Sequence, residues 1–185
     1  SNGIEYSKGE GLLSFLMVNL LNCELIWIFM VLKECSFGAL LSWFEASRVV
    51  YRYTNESLSA IVGALDLKPT DRVLAVCGSG SQGLAILEKV SEVTLVDTNV
   101  YALAYAARRV QNLFDGDYSS FLDFPGHDAV EWEAQRDYFL ERGRLQTIRN
   151  KLSALSFVCG SIYEDFVDAE RWDKLYLSNA VPVWT

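Results

Sequence analysis

The chain has 185 residues, is 51% hydrophobic and carries a formal charge of -8 from 24 acidic and 16 basic residues. That length supplies one sizeable core and leaves no room for two ordinary domains. The acidic balance sets the average field against a phosphate backbone, so no nucleic-acid partner is expected without a local basic patch. The densest basic stretch, Arg136 to Lys151, is broken by acids. Cys23, Cys35, Cys77 and Cys159 make no C-x-x-C pair and no metal-ligand spacing, which fits free thiols in a reducing cytoplasm.

Residues 1–55 read as a helical segment. Within it Leu12 to Leu32 is long enough to span a bilayer, and 17 of its 21 residues are apolar. Asn19, Asn22 and Glu24 lie near its centre, where each is costly in hydrocarbon, and no basic cluster flanks it. An amphipathic helix packed on a core is therefore expected, ahead of a span or a membrane-surface contact. The leading residues lack a basic n-region, so no signal peptide is expected. A second helix is predicted over Phe37 to Val50 and a third over Glu56 to Leu65, with Thr54 or Asn55 as its N-cap.

From Leu67 to Asp71 a loop containing Pro69 delivers the chain into an alternation of strands and helices. Strands are predicted at Arg72 to Cys77, Val93 to Val96, Ser156 to Cys159 and Lys174 to Leu177. Helices are predicted at Gln82 to Val90, Val100 to Asn112 and, briefly, Tyr163 to Val167. About 60 residues separate Asp97 from the third strand, where a minimal crossover needs a helix and two short connections. The excess marks an insertion at about 113–150, expected to lie over one face. The pattern is α/β: a Rossmann-like, doubly wound, mostly parallel sheet over residues 56–185.

The first strand runs into Cys77-Gly78-Ser79-Gly80-Ser81-Gln82-Gly83, a G-x-G-x-x-G turn that opens a helix. Glycines there let backbone approach a ligand, and the helix start offers free N–H groups. Asp97, 19 residues after Gly78, ends the next strand, where a carboxylate can accept from both hydroxyls of a ribose. Gly78, Ser79, Gly80, Gly83, Asp97 and Thr98 are the cofactor-binding candidates of this half. The competing reading is a tight strand-to-helix turn with no ligand. Taken alone, the glycines lean toward a dinucleotide and hence a nicotinamide oxidoreductase.

The surroundings shift that reading. SLSAIVGALDLKPTDRVL puts a helix and a Pro-containing loop before the first strand, VTLVDTNVYALAYAARRVQN runs from the acid into an alanine-rich helix, and LSFVCGSIYEDFVDAERWDKLYLSNAV supplies two further strands. In that order the pieces, from about Ser57 to Val181, resemble the class I S-adenosylmethionine-dependent methyltransferase-like superfamily. The resemblance implies S-adenosylmethionine as cofactor, with Ser161 and Ile162 on the adenine side. Asn179, beyond the fourth strand at the crevice where ligands bind, reads as touching cofactor or substrate or else as a turn residue after the strand. Two departures stand out. The acid usual inside the first strand is replaced by Val76, or Ala75 in another register, and Ser161 follows Gly160 where many members carry Asp. Glu164, Asp165 or Ser161 itself are the candidates for that second role.

The insertion, with Tyr118, Phe121 and Leu122 in it and Ser178 and Asn179 closing the fourth strand, also resembles a narrower family. These are the diacylglycerol 3-amino-3-carboxypropyl transferases of betaine-lipid synthesis and their relatives. That likeness implies transfer of the aminocarboxypropyl chain in place of the methyl group, so the two resemblances together imply methyl or 3-amino-3-carboxypropyl transfer to a small or lipid-like acceptor. The family's short acidic motif upstream of the sheet is not evident in YRYTNES, Tyr51 to Ser57. His127, in a turn, reads as a loop residue more readily than as a base, and Tyr51 and Tyr53 as packing more readily than as pocket lining. A seven-stranded methyltransferase sheet runs 3-2-1-4-5-7-6, whereas only 3-2-1-4 is expected here. Strand four would then be an open edge, to be covered by the apolar N-terminal helices or paired in a homo-oligomer. A non-catalytic or oligomer-forming truncated relative is accordingly the alternative to a transferase.

Overall fold

The computed structural model describes residues 53–123, 130–162 and 171–178. Four short runs form strands: β1 (Arg72–Val76), β2 (Glu92–Asp97), β3 (Leu155–Cys159) and β4 (Lys174–Tyr176). Three of them are rich in the branched and aromatic residues that suit a pleated, buried surface. They pair in parallel in the order β3-β2-β1-β4. The fold is α/β and Rossmann-like, as the alternation of periods predicts.

Register decides which face each residue serves. Val73 lies beside Val93 and Ala75 beside Leu95, and Leu95 lies beside Phe157. These side chains share one core with helices α1 (Leu58–Ala64), α2 (Ser81–Leu87) and α3 (Val100–Asp115). The opposite face buries Leu74 and Val96 with Trp172, and Val158 and Ile162 pack against them. The split follows from handedness: β1 to β2 to β3 steps one way across the sheet and β3 to β4 crosses back. Right-handed crossovers put the described connections through α2 and α3 on the first of these faces. The direction reverses between β1 and β4, and their carboxyl ends form the crevice where open α/β sheets bind ligands.

Several boundaries move. The helix before β1 begins at Leu58 with Ser57 as N-cap, its hydroxyl accepting from Ala60 N–H at 3.3 Å, and not with Thr54 or Asn55. Thr54 Oγ1 instead accepts from the Glu56 N–H at 3.1 Å, a local turn that ends one residue before the cap. The alanine-rich helix extends to Asp115 and stops at Gly116, whose φ of 78° suits a left-handed C-cap. Strand β4 ends at Tyr176, because Ser178 adopts a φ of 49° and turns the chain away.

The insertion folds as α4 (Tyr118–Phe121), α5 (Val130–Leu140), α6 (Arg144–Asn150) and one turn of 3-10 helix (Leu152–Ala154). It lies on the α2 side of the sheet, held at two levels. At the far end of α2, Glu88 Oε2 accepts from Arg144 Nε at 2.8 Å and from the Tyr138 hydroxyl at 3.1 Å. Lys151 Nζ there donates at 3.0 Å to each of the carbonyls of Glu88 and Val90, satisfying acceptors left at the helix terminus. Nearer the crevice, the buried Gln135 amide donates to the Thr54 carbonyl at 2.6 Å.

Leu12 to Leu32, Phe37 to Val50, Tyr51, His127, Tyr163 to Val167 and Asn179 lie outside the described residues. Among the described residues no helix is long and apolar enough to cross a membrane, and none of their His, Cys, Asp and Glu side chains cluster as a metal site. Strand β4 pairs with β1 alone among them, and Leu175 on it is 45% exposed.

Candidate functional site

The glycine turn begins where β1 ends. Cys77 N–H still donates to Val96 at 2.9 Å, and Gly80 N–H then closes on the Cys77 carbonyl at 2.7 Å. Gly78 has a φ of 49°, and a Cβ on it would meet nothing within 4 Å. This position is therefore both left-handed and open, a backbone face to which a ligand can come close. Gly80 and Gly83 serve packing instead. A Cβ on Gly80 would stand 2.8 Å from the Cβ of Ala106, and one on Gly83 would stand 2.3 Å from Leu95 Cδ2.

Asp97 closes the other side. Its Oδ2 accepts from the Gly78 N–H at 3.1 Å and its Oδ1 from the Asn99 N–H at 2.9 Å, so the carboxylate is aimed across the turn. A carboxylate has about four lone-pair sites, and each oxygen keeps room for one more donor. The Asp97 carbonyl accepts from Gly160 N–H at 3.0 Å, bringing the end of β3 and the following Ser161 to the same rim. Ser161 is half-buried there and Thr98 is exposed beside Asp97. Ile162 packs down with the Trp172 cluster.

Ser79 is placed differently from its sequence reading. Buried beneath the turn, it offers its hydroxyl to Ser81 N–H at 3.4 Å and its carbonyl to Arg109. From there it shapes the turn. Arg109, a residue that pattern reasoning passes over, is only 2% exposed and rises from α3 under the turn. Its Nη1 donates to the Ser79 carbonyl at 2.9 Å and to Ser81 Oγ at 2.7 Å, and its guanidinium stacks 4.8 Å from the centre of the Phe121 ring. Burial pulls this guanidinium down to about 10, which leaves it charged at neutral pH. Cys77, behind the turn, is fully buried, and burial followed by the nearby Asp97 charge pushes its thiol well up. It is a core thiol and not a nucleophile.

No family model, curated protein or solved structure matches the chain. The chemistry of the site rests on its own residues.

A second group of polar residues meets at the β1/β4 crevice. Glu56, from the segment before α1, accepts at Oε2 from the Tyr176 hydroxyl and, at 2.8 Å, from the Ser178 hydroxyl. Gln82, in the first turn of α2, has its side chain beside Tyr176. Burial, with Glu56 beside it, pushes the Tyr176 phenol well above its usual value. Two of these residues were visible beforehand: Ser178 through L-S-N, and Gln82 inside the glycine pattern. The partnership with Glu56 spans 120 residues and carries no local signal.

Proposed function

We propose that the chain is an S-adenosylmethionine-binding transferase, moving a methyl or 3-amino-3-carboxypropyl group to a small or lipid-like acceptor. One observation carries the reading: the open, left-handed Gly78 faces a carboxylate, Asp97, fixed by its own hydrogen bond across the turn. A carboxylate so held suits the two vicinal hydroxyls of an adenosine ribose, and the bare Gly78 backbone suits the close passage of the rest of the ligand. Gly78, Asp97, Thr98, Ser161 and Ile162 would hold the nucleoside, with Asn179 following β4. Ser79, Gly80 and Gly83 would act by keeping the turn in shape.

The segment ahead of β1 favours this cofactor over a nicotinamide dinucleotide. It packs α1 against α2 and carries Glu56 onto the crevice, where a dinucleotide unit that starts near its first strand has nothing comparable. When bound, the sulfonium supplies a leaving group good enough that the protein's work is chiefly to align donor and acceptor. A homo-oligomer formed through the β4 edge is consistent with the exposed Leu175 on that strand.

Calorimetry with S-adenosylhomocysteine tests the reading. Binding to the full chain, lost in Asp97→Ala, is expected. A silent titration with this nucleoside, or heat with NAD alone, would overturn it.

A further inference from the structure

The polar group at the end of β4 has an uneven supply of donors and acceptors. Tyr176 and Ser178 both spend their hydroxyl hydrogens on Glu56 Oε2, and Gln82 lies beside Tyr176. What remains are acceptors. Gln82 Oε1 is buried with no hydrogen-bond partner, on a residue only 6% exposed. Glu56 Oε1 accepts no hydrogen bond from the described residues, and no Lys or Arg among them pairs with the carboxylate. A buried orphan carbonyl is costly unless a donor meets it. A carboxylate without a cation, beside such a carbonyl, calls for a group that is all donor and positively charged. A primary ammonium has three donors and no acceptor.

Position limits which ammonium it can be. Gln82 lies four residues beyond Gly78, in the first turn of α2, and Tyr176 lies beside Ala75 of β1. A ligand whose ribose is at Asp97 and whose body crosses Gly78 would lead its far end toward Gln82 and Glu56. Ala75 and Val76 bring no charge to that end of β1.

We propose that Glu56, with Gln82, binds the α-ammonium of the amino-acid tail of the cofactor, supplying from the segment before the sheet the carboxylate that β1 lacks. The assignment rests on the adenosine-binding reading above. Tyr176 and Ser178 are positioning residues: they hold Oε2 so that Oε1 is presented to the ligand. Gln135, through its bond to the Thr54 carbonyl, steadies the short turn on which Glu56 stands.

Two nucleosides separate this assignment from the reading beneath it. S-adenosylhomocysteine carries the ammonium, and 5′-methylthioadenosine has the same nucleoside and sulfur without it. With the full chain in calorimetry, Glu56→Gln is expected to weaken S-adenosylhomocysteine by about tenfold or more, the loss of a charge-assisted contact, and to leave 5′-methylthioadenosine within about twofold. Gln82→Met, which removes the buried acceptor at similar volume, is expected to show the same selectivity and covers the case in which Glu56→Gln does not fold. If both nucleosides weaken equally, or neither changes, the ammonium assignment falls while the adenosine site stands. An acceptor amine as the true occupant would appear as this second result. If the unaltered chain binds neither nucleoside, the underlying reading falls and takes the assignment with it.

Discussion

The Asp97 carboxylate and the Gly78 amide meet at 3.1 Å across 19 residues of chain, joining the end of β2 to the turn that leaves β1. The same carboxylate also accepts from Asn99 N–H at 2.9 Å, so one side chain satisfies two backbone donors at the rim of the crevice. Removing it strands both. Asp97→Ala is expected to lower stability by about 2–3 kcal/mol, and Asp97→Asn, which keeps one carbonyl oxygen, by about 1 kcal/mol. Urea unfolding followed by circular dichroism reads the order. An alanine variant as stable as the asparagine variant would mean that these two bonds contribute nothing to the turn.

The glycines of the turn separate into two kinds, and substitution with alanine distinguishes them. At Gly83 a Cβ would collide with Leu95 Cδ2 at 2.3 Å inside a fully buried layer. Gly83→Ala is expected to cost about 1–3 kcal/mol through overpacking, and Leu95→Val in the same chain to recover part of it. At Gly78 the Cβ meets nothing within 4 Å and only the positive φ is unfavourable. Gly78→Ala should therefore cost about 1 kcal/mol, remain folded, and fill the space open to a ligand. Melting temperatures and S-adenosylhomocysteine titrations on the two variants should rank oppositely. A Gly78 variant that binds normally would remove the turn from the binding site.

The contrast marks what could be read beforehand. Strands β1 and β2, the turn and Asp97 follow from signals within about 25 residues: an apolar run, glycines at fixed spacing, a second run and an acid. Such signals survive in sequence because each is decided by neighbours. Between Thr54 and Ser57 three capping residues stand nearly together, and tertiary contact chose the last, since Thr54 is occupied with Glu56 N–H above and Gln135 through its carbonyl. Ser79 fits a ligand-binding pattern yet is drawn inward by Arg109, 30 residues away. Nothing in YRYTNES marks Glu56 as an acidic motif, and its partners appear only when β4 lies beside β1.

Arg109 is the hidden support of the turn. Its Nη1 holds both the Ser79 carbonyl and Ser81 Oγ, and Phe121 lies against its plane. Arg109→Met keeps much of the volume but leaves the Ser79 carbonyl buried without its donor. A loss of about 1–3 kcal/mol is expected, with faster amide hydrogen exchange confined to the stretch from Gly78 to Gln82. Unchanged exchange there, alongside the same loss of stability, would assign Arg109 to general packing and not to the turn.

Tyr176 and Tyr138 make alkaline pH informative. Burial raises both phenols above the ordinary value of 10.0, with Glu56 bonded to the first and the Glu88 charge beside the second. The folded chain thus holds these protons more tightly than the unfolded chain does. Their contribution to stability is whole below pH 10 and is lost as pH rises through the elevated folded values. Tyr138 and Tyr176 are then expected to resist ionisation, followed by absorbance at 295 nm, until the chain unfolds. Tyr176→Phe removes one such proton and isolates its share from that of Arg109, whose lowered value acts in the opposite direction over the same range. Its urea midpoint should fall less steeply above about pH 10 than that of the unaltered chain. Parallel slopes for the two proteins would show that Glu56 meets an ordinary phenol, and the donor that presents its free oxygen to the crevice would have to be Ser178 alone.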